Sequence, residues 1–107
     1  MSKIFYDHLI ILEEVGIYID KMGMDKEEKE EVWKLIDELI HYRIFGLIFD
    51  HLPREHHEEF IDKFYKAPHD EMHIHWLNSK IPKDIEKTIV SEIKEIEKEL
   101  LQEIKKE

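Results

Sequence analysis

The last quarter of the chain carries apolar side chains at intervals that an α-helix brings to one face. They are Ile85, Ile89, Ile93, Ile96, Leu100 and Ile104. A helix with about 3.6 residues per turn places such a series in one stripe, which must be buried against other elements. The mean spacing exceeds the roughly 3.5 residues of a strict coiled-coil seam. The series therefore indicates a helix packed in a bundle.

Turn and capping residues divide the rest of the chain into further helices. Gly23 suits the left-handed residue that follows a helix, and Asp25 with Glu28 forms a capping-box pattern. Asp70 and Asp84 are candidate N-caps of two later helices. The pattern predicts an all-α bundle of about five helices, approximately 3–22, 26–50, 53–66, 70–80 and 84–106.

One stretch of the second predicted helix is ambiguous. Residues 44–49 are apolar on every side, and a short apolar run is also consistent with a buried β-strand. Upstream the predicted helix is amphipathic, with an apolar face formed by Val32, Leu35, Ile36, Leu39 and Ile40. Gly46 lies within the apolar run, where the missing side chain would let another backbone approach closely.

Length and charge limit the classes of function. A chain of 107 residues with 42% hydrophobic residues predicts a single domain, residues 1–107. The net charge of −10 argues against binding nucleic acid or an anionic membrane surface. No apolar run is long enough to cross a membrane and no signal-peptide pattern is present, so a cytoplasmic location is expected. The chain has no cysteine, which excludes thiol nucleophiles and thiolate metal sites.

Several boundary and apolar residues resemble a small all-helical family of unknown function that is seen in candidate-phyla bacteria. The residues that carry the resemblance are Leu52-Pro53, Glu58, Glu59, Phe60, Asp70, Trp76-Leu77 and Ile81-Pro82. It extends from about Leu9 to the C-terminus and implies a helical fold without catalytic residues. Members of that family usually have acidic residues where this chain has His56, His57, His73 and His75.

Histidines suggest a second class of function. His69 and His73 have the i, i+4 spacing that places two imidazoles on one helix face, as in zinc-protease helices, but Asp70 replaces the general-base glutamate. A third ligand for a divalent transition metal would come from His56 or His57. Only one of the two could join the site, because adjacent helical residues differ by about 100° in direction. If Asp70 is an N-cap, however, His69 lies outside the helix.

The alternative is that the eight histidines are mostly solvated, with His41 satisfied inside the bundle by Asp37 or Glu38. No cofactor is then expected. Protonating all eight histidines would also make association depend on pH. No nucleophile elbow or phosphate-binding glycine loop is present, which favours a non-catalytic protein.

The apolar surplus predicts self-association. The first helix and the apolar run offer more apolar surface than so small a bundle buries, and a symmetric dimer is the simplest solution. A monomer whose helices wrap the first one completely is the alternative. The predicted interface residues are Ile10, Ile11, Ile17, Ile44, Leu47 and Ile48. The sequence thus predicts an acidic homodimeric interaction module, with a His/carboxylate metal-binding protein as the alternative.

Overall fold

The computed structural model describes residues 4–105, and it confirms the all-α fold. Its helices are α1 (Glu13–Lys21), α2 (Lys26–His51), α3 (His57–Lys66), α4 (Met72–Lys80) and α5 (Ile85–Lys105), with 3-10 turns at Asp7–Leu9 and Arg54–His56. No strand occurs in this part of the chain. The β-strand considered for residues 44–49 is therefore wrong, since these residues lie within α2.

The predicted capping residues define the ends of the helices. Asp25 accepts a hydrogen bond from the Glu28 backbone N–H at 2.9 Å, and the Glu28 carboxylate accepts one from the Asp25 N–H. Asp84 caps α5 by accepting from the backbone N–H of Glu86 at 3.1 Å. Gly23 has a φ of 71°, which is the left-handed conformation expected after a helix. These local signals hold because each needs only neighbouring backbone groups.

The first helix is shorter than predicted. The sequence predicts residues 3–22, of which residue 3 lies outside the described part, but α1 begins at Glu13 and Ile10 has an extended backbone. Gly16 does not end this helix. The reason for the late start is tertiary, because the Phe5 N–H donates to the Pro68 carbonyl at 2.9 Å.

Two later helices also begin after their predicted first residues. Pro53 is followed by the 3-10 turn Arg54–His56, so α3 starts at His57 rather than at 53. Asp70 accepts a hydrogen bond from the Met72 N–H at 3.0 Å, and α4 begins at Met72. His69 therefore lies before α4.

The core forms where α5 packs against α1, α2 and α4. Two rows of isoleucines dominate it, and both follow helical spacing. The buried members are Ile36, Ile40, Ile44 and Ile48 of α2 with Ile85, Ile89, Ile93 and Ile96 of α5. Each such side chain contributes roughly 1.5 to 3 kcal/mol when it is fully buried. This core fixes which side of α2 faces inward.

An aromatic cluster joins the N-terminal segment to α2 and α3. Phe5 contacts Tyr6 and Phe60 edge-to-face, with ring centroids 5.1 and 6.1 Å apart. Phe45 of α2 meets Phe64 of α3 at 5.0 Å. Most of the aromatic residues between Phe5 and Phe64 belong to this cluster, so their rings pack against other rings of the same chain.

Candidate functional site

The side of α2 that points away from the core is apolar at its surface. Leu35, Leu39 and Tyr42 are 60%, 37% and 78% exposed, and Gly46 is also exposed. At about 100° per residue these four positions centre roughly 150° from the buried isoleucine row. We call Leu35, Leu39, Tyr42 and Gly46 the outer face of α2. Only part of the predicted amphipathic pattern faces inward, since its isoleucines are buried whereas Leu35 and Leu39 are exposed.

The outer face has the spacing of a coiled-coil seam. Its four residues are separated by four, three and four positions, and the half-buried Val32 and Phe49 continue the alternation at either end. Alternating steps of three and four are the a and d positions of a heptad repeat, along which two helices pack. Sequence reasoning missed this second stripe, although its spacing is readable, because it was merged with the inward stripe.

Gly46 has no explanation within the chain itself. It is not among the residues with positive φ, and in the described part of the chain a Cβ placed there would meet no atom within 4 Å beyond its chain neighbours and the adjacent backbone of α2. Glycine inside a helix costs roughly 0.5 to 1 kcal/mol relative to alanine. Neither conformation nor packing in one copy of the chain therefore requires glycine at this position.

Arg43 holds α2 against α5 beside the outer face. Its guanidinium donates to Glu99 in a bidentate pair at 3.0 and 3.1 Å, and to Glu92 at 2.9 Å. The hydrogen bonds from Arg43 lower the pKa of the Glu99 carboxyl. The pKa of Arg43 is raised, first by its hydrogen bonds to Glu99, so the guanidinium stays charged. This pairing fixes the orientation of α2 and hence of its outer face.

The residues predicted to form an interface separate into three groups. Ile44 and Ile48 are fully buried in the chain's own core, so their assignment to an interface is corrected. Ile10 and Leu47 are partly buried and pack against that core. The remaining two, Ile11 and Ile17, are exposed and stay available to a partner.

His56 and His57 are engaged by their own surroundings. The His57 Nε2–H donates to the Leu52 carbonyl at 2.8 Å, and its ring lies 5.0 Å from that of Phe49. His56 lies edge-to-face against Trp76, with its Nδ1 3.6 Å from a Glu59 oxygen. The two imidazoles therefore contact different residues and do not converge on a shared site.

His69 and His73 do not share a helix face, because His69 precedes α4 and is exposed. His73 is buried, and its Nε2–H donates to the Ala67 carbonyl at 2.6 Å. Among residues 4–104, no group of three or more histidine and carboxylate side chains is arranged to hold a metal ion. The structure does not assemble the predicted site from His56, His57, His69 and His73.

A polar network connects the N-terminal segment to α2. The Tyr6 hydroxyl is hydrogen-bonded to Nδ1 of His41, whose Nε2 lies 3.2 Å from an Asp37 oxygen. The predicted Asp37 partner of His41 is confirmed. Burial, with smaller contributions from Asp37 and Asp7, raises the pKa of Tyr6. Its phenol is therefore neutral at physiological pH and acts as a hydrogen-bonding group rather than a nucleophile.

Asp37 also borders a groove of about 760 Å³ between the N-terminal segment and the first half of α2. The residues that line it include Ile10, Trp33, Lys34 and Ile36. Ile10 thus faces this groove within its own chain.

Comparisons of the chain with protein-family models, with curated proteins and with solved structures give no match. The resemblance to a family seen in candidate-phyla bacteria stays a prediction. Within the part that the structure describes, no helix is long and apolar enough to span a membrane. The cytoplasmic location stays a prediction as well.

Proposed function

We propose that this protein is a non-catalytic interaction module that self-associates through the outer face of α2, with a second copy of the chain as the partner. The observation that carries the proposal is the coexistence of two apolar stripes on one helix. The isoleucine row completes the core, whereas Leu35, Leu39 and Tyr42 remain exposed at coiled-coil spacing. A stripe with that spacing matches another helix of the same kind.

The missing side chain at Gly46 also supports a second copy of the chain as the partner. The lack of a side chain leaves room on the outer face, since no other described residue comes within 4 Å of the Cβ position, apart from its chain neighbours and the adjacent backbone of α2. Packed interfaces leave few voids, so a position without a side chain is filled by a larger side chain of the neighbouring helix. A neighbouring helix therefore provides the reason for glycine that the single chain does not.

The expected association is modest. One helix face presents less area than the roughly 800 Å² per partner of a standard interface, and smaller interfaces belong to weak or transient complexes. The net charge of −10 on each copy opposes association further at low ionic strength. Added salt should therefore strengthen the dimer by screening that repulsion.

Sedimentation velocity over a concentration series tests the proposal with two matched pairs of variants. Tyr42→Ser on the outer face and Tyr65→Ser on α3 remove side chains that are 78% and 80% exposed. Leu35→Glu and Ile11→Glu add a charge at positions that are 60% and 64% exposed. The Tyr42 and Leu35 variants should sediment as folded monomers, whereas the Tyr65 and Ile11 variants should associate like the wild type.

Two results would overturn the proposal. Wild-type protein that stays monomeric over the whole concentration series would show that the outer face does not bind a second copy. Dissociation by Ile11→Glu but not by Leu35→Glu would move the interface to the N-terminal segment. Circular dichroism of each variant separates dissociation from unfolding, because all four residues are exposed in the single chain.

A further inference from the structure

The outer face is compatible with only some arrangements of two helices. A symmetric dimer pairs the two faces about a two-fold axis, which runs along parallel helices or crosses antiparallel ones. Parallel packing places each residue opposite its own copy, so Gly46 would face Gly46 and leave a gap while Tyr42 faced Tyr42. Gaps of that kind lose contacts on both sides of the interface.

Antiparallel packing removes the mismatch. If the two-fold axis crosses α2 midway between Leu39 and Tyr42, Leu39 of one copy lies opposite Tyr42 of the other. The same axis sets Leu35 opposite Gly46 and Val32 opposite Phe49. Each pair joins an a to a d position, as antiparallel coiled coils require, and Leu35 fills the space that Gly46 leaves open.

The charges along α2 favour the same direction. Residues 25–38 contain seven acidic and three basic residues, whereas residues 39–52 contain one of each together with His41 and His51. Parallel helices would place the two acidic halves side by side. Antiparallel helices place each acidic half against the nearly neutral half of the partner, and they also oppose the helix dipoles favourably.

We infer that two copies pair α2 antiparallel, with Leu35 of each copy packed over Gly46 of the other. This inference rests on the proposed self-association and specifies its direction and register. In this register the Leu35 side chain of one copy packs at Gly46 of the other, which accounts for the glycine that the single chain does not require.

Disulfide trapping tests the register cleanly, because the protein has no cysteine of its own. Leu35→Cys and Gly46→Cys are prepared separately, one of them isotopically labelled, and are oxidised alone and as a mixture in a glutathione buffer. A disulfide needs Cα atoms within about 7 Å. In the antiparallel register Leu35 is roughly 16 Å along the axis from its own copy, since the equivalent positions are eleven residues apart.

The expected result is a linked pair in the mixture, with the mass of one labelled and one unlabelled chain, and no linked pair from either variant alone. Met72→Cys, at an exposed position on α4, is the control for random collisions and should link to neither variant. A linked pair from Leu35→Cys alone would indicate parallel helices and overturn the register.

The failure of the register is distinguishable from that of the proposed function. Sedimentation of the wild-type protein reports whether the chains associate at all. Association without any linkage of Leu35→Cys to Gly46→Cys would refute the register and leave self-association standing. Absence of association would refute both.

Discussion

The hydroxyl of Tyr6 is hydrogen-bonded to Nδ1 of His41, and the two residues lie 35 positions apart in the chain. Nε2 of His41 is directed at Asp37. The Nε2–H tautomer satisfies both contacts, with the phenol donating to Nδ1 and the imidazole donating to the carboxylate. This connection holds the N-terminal segment on α2 and determines where the first helix can begin.

We expect Tyr6→Phe to lower the free energy of unfolding by about 1 to 3 kcal/mol, because Nδ1 of His41 loses its partner in a largely buried site. Urea unfolding at neutral pH measures the change. Tyr65→Phe is the matched control, since that side chain is exposed and should show little effect. Equal stability of the Tyr6 variant and the wild type would contradict the structural role of the contact.

The raised pKa of Tyr6 also predicts a loss of stability at alkaline pH. The unfolded chain ionises this phenol near its ordinary value of 10.0, whereas the folded chain keeps it neutral. The stabilising contribution is therefore complete below that pH and is lost as the pH rises above it, at up to about 1.4 kcal/mol per pH unit. Urea unfolding on both sides of pH 10 should show a shallower decline for Tyr6→Phe than for the wild type.

His73 provides a second test of a buried polar contact. Its imidazole satisfies the Ala67 carbonyl at the end of α3 and packs against Phe5 at 5.3 Å. His73→Ala should lower the free energy of unfolding by about 1 to 3 kcal/mol, because the Ala67 carbonyl keeps only the Asp70 N–H as donor and the buried ring contact with Phe5 is lost. His75→Ala, two positions away and exposed, should change it by less than about 0.5 kcal/mol. Similar effects of the two variants in thermal unfolding would argue against the contact.

The pairing of Arg43 with Glu99 predicts a loss of stability in acid. The lowered pKa of Glu99 means that its contribution is present above the ordinary value of 4.5 and is lost as the pH falls through the folded-state value. Glu99→Gln should therefore reduce the acid dependence of the unfolding free energy. Glu95→Gln, at an exposed position on the same helix, is the control, and both series are measured at low and high salt because screening weakens exposed pairs.

Gly46→Ala separates the stability of one chain from its association. The single chain has room for the methyl group, so its free energy of unfolding should rise by roughly 0.5 to 1 kcal/mol. Association should weaken in the same variant, because the methyl group occupies the space proposed for Leu35. Urea unfolding at low protein concentration and sedimentation at high concentration measure the two effects. A more stable variant that associates normally would refute the role proposed for Gly46.

Gly23→Ala is the contrasting glycine variant. Gly23 has a φ of 71°, a conformation that residues with a Cβ rarely adopt. Its replacement should therefore destabilise the fold, although the position is exposed. Alanine should therefore lower the free energy of unfolding at Gly23 and raise it at Gly46. In the single chain this difference arises from the backbone conformation of the two glycines alone.

The features that depend only on neighbouring residues follow from the local sequence. The capping box of Asp25 and Glu28, the left-handed Gly23 and the cap at Asp84 all define helix ends through local hydrogen bonds. The isoleucine stripe of α5 was readable because one face of that helix is apolar and the others are charged. For such elements, the periodicity leaves a single way to bury the helix.

Contacts between distant parts of the chain select which face of α2 is buried and where α1 begins. α2 carries two apolar stripes, and the choice between Ile36 and Leu35 as the inward residue depends on the shape of α5 and α3 around it. The late start of α1 likewise depends on Pro68 and His41, which lie far along the chain. Both outcomes depend on the relative free energies of contacts between residues far apart in the sequence. No local pattern of residues specifies those free energies.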